Sequence, residues 1–379
     1  MVTEQTLAER LNSIFEHLHR NPEVSWGEVE TTAFIADFLR KEGFEPYTFE
    51  NMTGLYVDIG EGTPMVGFRT DIDALWQEVD GQFRANHSCG HDGHMTMALG
   101  TILLLKELAP SLTGAVRIIF QPAEEKAQGA KALVEEGVVD SLRYLFGTHV
   151  RPHFELQDGT YAPGLYHGAA QLLTGTIKGV EAHGSRPEKG VNAIEAAAAL
   201  IDGIKRIWIS PAETASIKMT QLQAGGTSTN IIPGKATFSI DARAQNNETM
   251  EALIAGFEKV ITAVSMMYGA SIYFQVDAHI AAAQVDETAK AIMQQAIIDV
   301  AGKDHLAPEI VTPGGEDFHF YAYKRPKLKT TMLGLGCGVT PGLHHPQMTF
   351  NRERLLTGAQ IITRALVLAL QHVERSENQ

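Results

Sequence analysis

Cysteine is nearly absent from this 379-residue chain: only Cys89 and Cys337 occur. Two thiols cannot build a disulfide framework, which excludes the small secreted scaffold. Positive charge is also scarce. Lys and Arg number 31 against 45 Asp and Glu, a formal net charge of -14. That balance argues against nucleic acid or an anionic membrane as a partner. It does not exclude an anionic small molecule, because one arginine in a site can outweigh the global field. No apolar run is long enough to span a bilayer. The opening residues carry neither the basic start nor the apolar stretch of a signal peptide, so cytoplasm is the expected compartment. Repeats and low-complexity tracts are missing as well.

What is there is the composition of an ordinary globular protein, long enough for two domains. Helical and strand-like segments alternate through the first part. Leu7, Leu11, Ile14 and Leu18 recur at helical spacing, as do Phe34, Ile35, Phe38 and Leu39, with Gly43 placed to cap the second helix. Strand-like runs follow at 55–59, 65–70, 116–120 and 145–148, with helical runs at 95–108 and 130–136 between them. Such alternation predicts an α/β domain: a mixed sheet flanked by helices, with ligands gathering beyond the carboxyl ends of the strands. The middle of the chain changes character. A strand at 171–180, a helix at 192–208, strands at 217–223 and 236–243, a helix at 248–267 and a strand at 271–276 give the order β-α-β-β-α-β. This predicts an inserted α+β domain over 172–281, with residues 1–171 and 282–379 forming the catalytic domain. The α/β pattern resumes at 287–301 and closes with an apolar helix at 354–373.

The run Cys89-Gly-His-Asp-Gly-His94 sits between a predicted strand and a predicted helix. Thiolate and imidazole suit zinc or another borderline first-row metal, and the glycines let the backbone close around an ion. Four other segments carry residues of metal-site type. Glu124 and Glu125 follow an apolar strand, where one carboxylate can ligate while its neighbour moves a proton. His149 follows another strand. His344 and His345 precede a proline. Asp71 and Asp73 end a strand, where an acid either orients a ligating histidine or caps the next element. Each alone has a bland explanation, such as a charge pair at a helix start or a structural turn histidine. Their coincidence at successive strand ends favours a metal centre. Cys89, His91, Glu125, His149 and His345 supply five ligands, and one bridging thiolate would let them hold two metal ions. Paired ions can polarise a carbonyl and lower the pKa of water, with Glu124 passing the proton to a leaving amine. The inserted domain adds His183, able to stabilise an oxyanion, Asn230, and Arg243, able to grip a carboxylate. Spacing alone would read these last as turn and surface residues.

The chain resembles the dinuclear metallopeptidase superfamily of aminoacylase and glutamate carboxypeptidase, in its amidohydrolase branch. That branch holds hippurate hydrolases, N-acetyl-amino-acid deacetylases and indole-acetyl-amino-acid hydrolases. The matching stretches run in the family's order: Leu18-His-Arg-Asn-Pro-Glu23, Arg69-Thr-Asp-Ile-Asp-Ala-Leu75, His87-Ser-Cys-Gly-His-Asp-Gly-His94, Phe120-Gln-Pro-Ala-Glu-Glu125, Ala182-His-Gly-Ser-Arg-Pro187, Asn230-Ile-Ile-Pro233, Gly314-Gly-Glu-Asp-Phe318 and His344-His-Pro346. The resemblance implies Cys89, His91, Glu125, His149 and His345 as ligands of two divalent ions (zinc, manganese, cobalt or nickel), with Cys89 bridging. It implies Glu124 as general base and Asp73, with Asp71 as rival, as the acid orienting a ligand. It implies His183, Asn230 and Arg243 as substrate contacts on a lid through which a homodimer forms. The implied substrate is an N-acyl amino acid or a small related conjugate; a dipeptidase or aminopeptidase with the same metals is the alternative. One departure stands out: Trp76 replaces a usual proline, and the stretch from there to Asn86 is short.

Overall fold

The computed structural model describes residues 4–377. Its first two helices fall where the apolar spacing predicts. Helix α1 (Glu4–Arg20) buries Leu7, Leu11, Ile14, Phe15 and Leu18. Helix α2 (Val29–Lys41) buries Ile35, Ala36 and Leu39. Its end is a Schellman turn: the Gly43 N–H donates to Arg40 O at 3.0 Å and the Phe44 N–H to Leu39 O at 2.9 Å. Gly43 has a φ of 86°, the left-handed conformation that glycine adopts without strain. The chain continues through β1 (Tyr47–Thr48), β2 (Leu55–Ile59), β3 (Val66–Asp71), the hairpin β4 (Leu75–Val79) and β5 (Gln82–Asn86), and α3 (His91–Leu108). Then come β6 (Val116–Gln121), α4 (Gly129–Glu135), β7 (Tyr144–Pro152), β8 (Tyr161–Ala162) and β9 (Leu165–His167).

Two compact units divide the chain: one of residues 1–166, 284–311 and 317–379, the other of residues 167–283 and 312–316. The second contains β10 (Ala169–Lys178), β11 (Ala182–His183), α5 (Ala193–Ile204), β12 (Ala215–Ala224), β13 (Ile231–Ile232), β14 (Lys235–Ala244), α6 (Asn247–Tyr268) and β15 (Ser271–Ile280). The chain then runs through α7 (Glu287–Ala301), β16 (Ile310–Thr312), α8 (His319–Lys324), β17 (Lys329–Val339) and α9 (Arg354–Glu377).

Among the described residues, the first unit is built on a seven-stranded sheet in the order β1-β2-β6-β3-β7-β17-β8. The centre is parallel, β6 with β3, β3 with β7, and β7 with β17, while the margins are antiparallel. Strands β3 and β7 are buried along their whole length, which is why they read as near-continuous runs rather than alternating ones. Residues of α1, α2, α3, α7 and α9 join Val57, Phe68, Ile118, Phe146 and Leu335 in the main core. Each fully buried Leu, Ile or Phe there contributes roughly 1.5–3 kcal/mol of transfer free energy. Helix α3 is apolar around nearly its whole circumference because it lies inside this core. The parallel centre also fixes where chemistry can happen. Strands β3, β6 and β7 point their carboxyl ends the same way, so the loops after them converge.

The second unit is a four-stranded antiparallel sheet, β12-β14-β10-β15, with α5 and α6 packed on Leu173, Ile177, Phe238 and Ile240. The Ala-rich face of α5 buries Ala193, Ala196, Ala197, Leu200 and Ile204. Both helices have asparagine N-caps: Asn192 Oδ1 accepts from the Ile194 N–H at 3.0 Å and Asn246 Oδ1 from the Thr249 N–H at 2.7 Å. No helix among the described residues is long and apolar enough to cross a membrane.

Candidate metal centre

Beyond β3 the chain turns at Asp73, beyond β6 at Glu124 and Glu125, and β7 carries His149 near its end. Cys89 and His91 sit at the start of α3. Gly90 between them has a φ of 86°, and a Cβ there would lie 2.5 Å from Val150 Cγ2, so glycine is required for the helix to begin against β7. Gly129 does the same on the other loop, where a Cβ would meet Pro122 O at 1.6 Å. These close approaches bring the strand ends together.

Asp73 organises the turn that presents both glutamates. It is fully buried, and its carboxylate accepts from the Glu124 N–H at 3.2 Å, the Glu125 N–H at 3.1 Å and Ser25 Oγ at 2.6 Å. Glu28, also fully buried, accepts from the Ala123 N–H at 2.8 Å, which holds Ala123 at a φ of 51°. That left-handed backbone at an alanine persists because hydrogen bonds on both sides over-determine it.

The histidines are sorted by their hydrogen bonds. His91 Nδ1 donates to Asp73 O at 2.7 Å, which fixes one proton there and turns Nε2 toward the cluster. That Nε2 is buried without a hydrogen-bond partner, as is Glu125 Oε1. His149 Nδ1 donates to Val150 O at 2.7 Å and turns its Nε2 toward Cys89 Sγ, 3.6 Å away. His94 is different. The Val150 N–H donates to its Nε2 at 3.0 Å and its Nδ1 meets Asp71 Oδ1 at 2.7 Å, so both ring nitrogens are engaged. Asp71 is therefore the partner of His94, while Asp73 stands beside His91, with Oδ1 3.4 Å from its Nδ1. Beneath them the fully buried Arg69 is neutralised by Asp71 at 2.8 Å and Asp317 at 2.7 Å.

One sequence expectation is corrected. His345 does not join the cluster; its Nδ1 accepts from the Gln347 N–H at 3.1 Å in an exposed turn. His344 stands in its place, with Nε2 3.3 Å from Cys89 Sγ and 3.6 Å from Glu125 Oε1. The reason is the backbone: His344 has a φ of 64°, which turns its ring inward and sends the next residue outward.

Two groups of potential ligands share one atom. Cys89, His91 and His149 form one group and Cys89, Glu125 and His344 the other, with ligand atoms within 4.8 Å of one another in each. A tetrahedral ion with ligands about 2.0–2.3 Å away sets them roughly 3.3–3.8 Å apart. The Cys89 to His149 and Cys89 to His344 separations, 3.6 and 3.3 Å, fall in that range. Glu124 lies beside both groups, with Oε2 4.0 Å from His91 Nε2 and Oε1 accepting from the Asp317 N–H at 3.3 Å.

The electrostatics are those of a site with too much negative charge. Burial, followed by the repulsion of Asp73 and Asp71 against the opposing pull of His91, pushes the Glu125 carboxyl up to about 7. Burial and then the charge of Glu125 push the Cys89 thiol well up. Burial works against a charge on His91, but Asp71, Cys89 and Asp73 outweigh it and hold that imidazole well above its ordinary value. Burial lowers His149 strongly. Divalent cations would take over the same negative charge and displace the protons on Cys89, His91 and Glu125. The unpartnered Nε2 of His91, the unpartnered Oε1 of Glu125 and the shared thiol thus fit a pair of ions.

The residues expected in the lid lie in the second unit. His183 ends β11, which pairs with β13 beside Asn230, and the Gly184 N–H donates to Asn230 O at 2.7 Å. The two therefore share one corner. His183 Nδ1 receives the Ser185 N–H at 3.1 Å and lies 2.8 Å from Ser185 Oγ. Arg243 is elsewhere in that unit, on the central strand β14 between Ala170 and Ser216, with Nε donating to Asp241 Oδ1 at 2.7 Å.

The sequence pattern of peptidase family M20/M25/M40 matches residues 67–367. An N-acetylcysteine deacetylase of Bacillus subtilis (strain 168) is 30% identical over 389 aligned positions, spanning 98% of this chain and 100% of that protein. An IAA-amino acid hydrolase of Arabidopsis thaliana is 28% identical, spanning 94% of this chain and 86% of that protein. Among solved structures, a dinuclear metal-binding peptidase of the M20 family from Bacillus subtilis matches with a TM-score of 0.82 and 30% identity, covering 97% of this chain and 99% of the other. Sequence pattern, chain-long relatives and fold agree, and this chain belongs to peptidase family M20/M25/M40.

Proposed function

We propose that this protein hydrolyses the amide bond of N-acyl amino acids or small related conjugates, using two divalent ions held by Cys89, His91, Glu125, His149 and His344. It is a metal-dependent amidohydrolase. The observation that carries the reading is the sharing of Cys89 Sγ by two ligand groups, with Glu124 Oε2 4.0 Å from His91 Nε2 beside them. The deacetylases of Bacillus subtilis and the Arabidopsis hydrolase support the substrate class.

Ions bound there supply Lewis-acid polarisation of the scissile carbonyl and a water of lowered pKa. The protein's own groups do the rest. Glu124 removes the proton of the attacking water at its carboxylate and delivers it to the leaving amine. Asp73 holds Glu124 and Glu125 by their backbone N–H groups and His91 through its carbonyl, which preserves that geometry through the cycle. His183 donates to the developing oxyanion. Asn230 and Arg243 bind the amino-acid carboxylate, Arg243 after exchanging Asp241 for it. Zinc, manganese, cobalt and nickel all match the mixed thiolate, imidazole and carboxylate set. A homodimer through the second unit completes the reading, supported by the exposed Trp208, Met266 and Met267 there, and the reaction is assigned to the cytoplasm.

Steady-state kinetics on an N-acetyl amino acid beside the matching dipeptide, with each metal in turn, tests this. A kcat/KM at least tenfold higher for the acyl amino acid is expected. Preference for the dipeptide would overturn the substrate class.

A further inference from the structure

The stretch from Trp76 to Asn86 is a tight hairpin. Strands β4 and β5 are joined by two residues, Asp80 and Gly81, with φ of 52° and 80°. Positive φ at both central positions is what a type I′ turn requires, and Asp-Gly supplies it. The hairpin has two faces. Trp76 and Phe83 are exposed on one, whereas Gln77 and Asn86 lie on the half-buried side.

Those two amides form a chain that ends on the His344 loop. Asn86 Nδ2 donates to Gln77 Oε1 at 2.7 Å and to Pro346 O at 3.0 Å. Gln77 Nε2 donates to His344 O at 3.1 Å. The carbonyl acceptors at both ends fix the orientation of both amides, because a flipped amide would set oxygen against oxygen. A third bond, from the His344 N–H to Ser88 O at 2.7 Å, comes from the same stretch of chain. His344 has the left-handed backbone that aims its ring at Cys89 and Glu125. A non-glycine residue holds that conformation only where its surroundings impose it.

We propose that the Gln77–Asn86 amide pair positions His344, so that the hairpin sets the affinity of one of the two metal sites and leaves the other alone. Resting on the assignment of His344 as a ligand, this gives the hairpin a role in metal loading. The two amides are positioning residues: they touch the backbone of the ligand loop and not the ions.

The test is a Zn²⁺ titration of the full-length, chelator-stripped protein, reading the affinities of both ions. Gln77→Met and Asn86→Leu remove the donors at nearly constant size; His344→Ala and Trp76→Ser are the references. His344→Ala should lose one ion, and each amide variant should weaken that same ion roughly 10- to 100-fold, the size usual for partners that orient a ligand. The other ion and the Trp76→Ser variant should match wild type. Wild-type affinity in both amide variants would overturn the proposal, as would equal loss of both ions, or an equal effect from Trp76→Ser, which would mark a general loss of hairpin structure. Retention of both ions by His344→Ala would remove the ligand assignment itself, a failure that this variant reports separately.

Discussion

The strand-end cluster and the proposed substrate-binding residues of the second unit are built on opposite principles. In the cluster Cys89, His91, His149 and Asp73 are buried and Glu124 and Glu125 half-buried, with only His344 exposed, and Asp73 alone binds two backbone N–H groups, a serine hydroxyl and, through its carbonyl, His91. His183 and Asn230 are exposed, and their contacts are local to one turn, while Arg243 is tied to Asp241 two residues away. On the proposed function, the difference is a division of labour. Groups that hold ions and move protons must be preorganised in a dry site, because a misplaced charge there costs several kcal/mol. Groups that greet a substrate can wait in solvent and exchange partners when it arrives.

The contrast can be broken most forcefully at Glu124. Glu124→Gln keeps shape but removes the base, and kcat should fall about 10²- to 10⁴-fold, the usual worth of general-base catalysis. Both ions should remain on metal analysis; near-normal turnover would remove Glu124 from the mechanism. A second test concerns the buried charge itself. The Glu125 carboxyl is raised from an ordinary 4.5 to about 7, chiefly by burial. An acid raised in the folded state contributes stability that is full below its unfolded pKa and is lost as pH rises through the folded one. Metal-stripped protein should therefore lose on the order of 3 kcal/mol between about pH 4.5 and 7.5 through this group. Thermal melts of stripped wild type and Glu125→Gln across that range check it. The wild-type decline should be steeper, and parallel curves would contradict the account. At the proposed substrate contacts the expected effects are smaller. Arg243→Ala should raise KM for carboxylate-bearing substrates about tenfold, or ~1.4 kcal/mol, with metal content unchanged; an unaltered KM would free Arg243 for another role.

Much of this was readable from residue types and spacing. The Cys89–His94 run, the Glu124–Glu125 pair and His149 stand out because such residues rarely end apolar strands by chance. The α/β alternation and the β-α-β-β-α-β insertion follow from hydrophobic period and turn residues. The choice between His344 and His345 was not readable, because it depends on a left-handed backbone at a non-glycine residue. The role of His94 as partner of Asp71 and Val150 is set by strands that meet only in the folded chain. Ser25 and Glu28 brace the centre from an early loop that carries no metal-type signal. The hairpin of β4 and β5 did leave a signal: Asp80-Gly81 between short alternating runs is a strong hairpin mark.

The central claim is that one thiolate serves both ions. Metal analysis of Cys89→Ala beside His149→Ala, each equilibrated with Zn²⁺ under identical conditions, tests it directly. Wild type should hold two ions per chain and His149→Ala one, while Cys89→Ala should lose affinity at both sites together. A Cys89→Ala protein that keeps one ion at wild-type affinity would contradict the account.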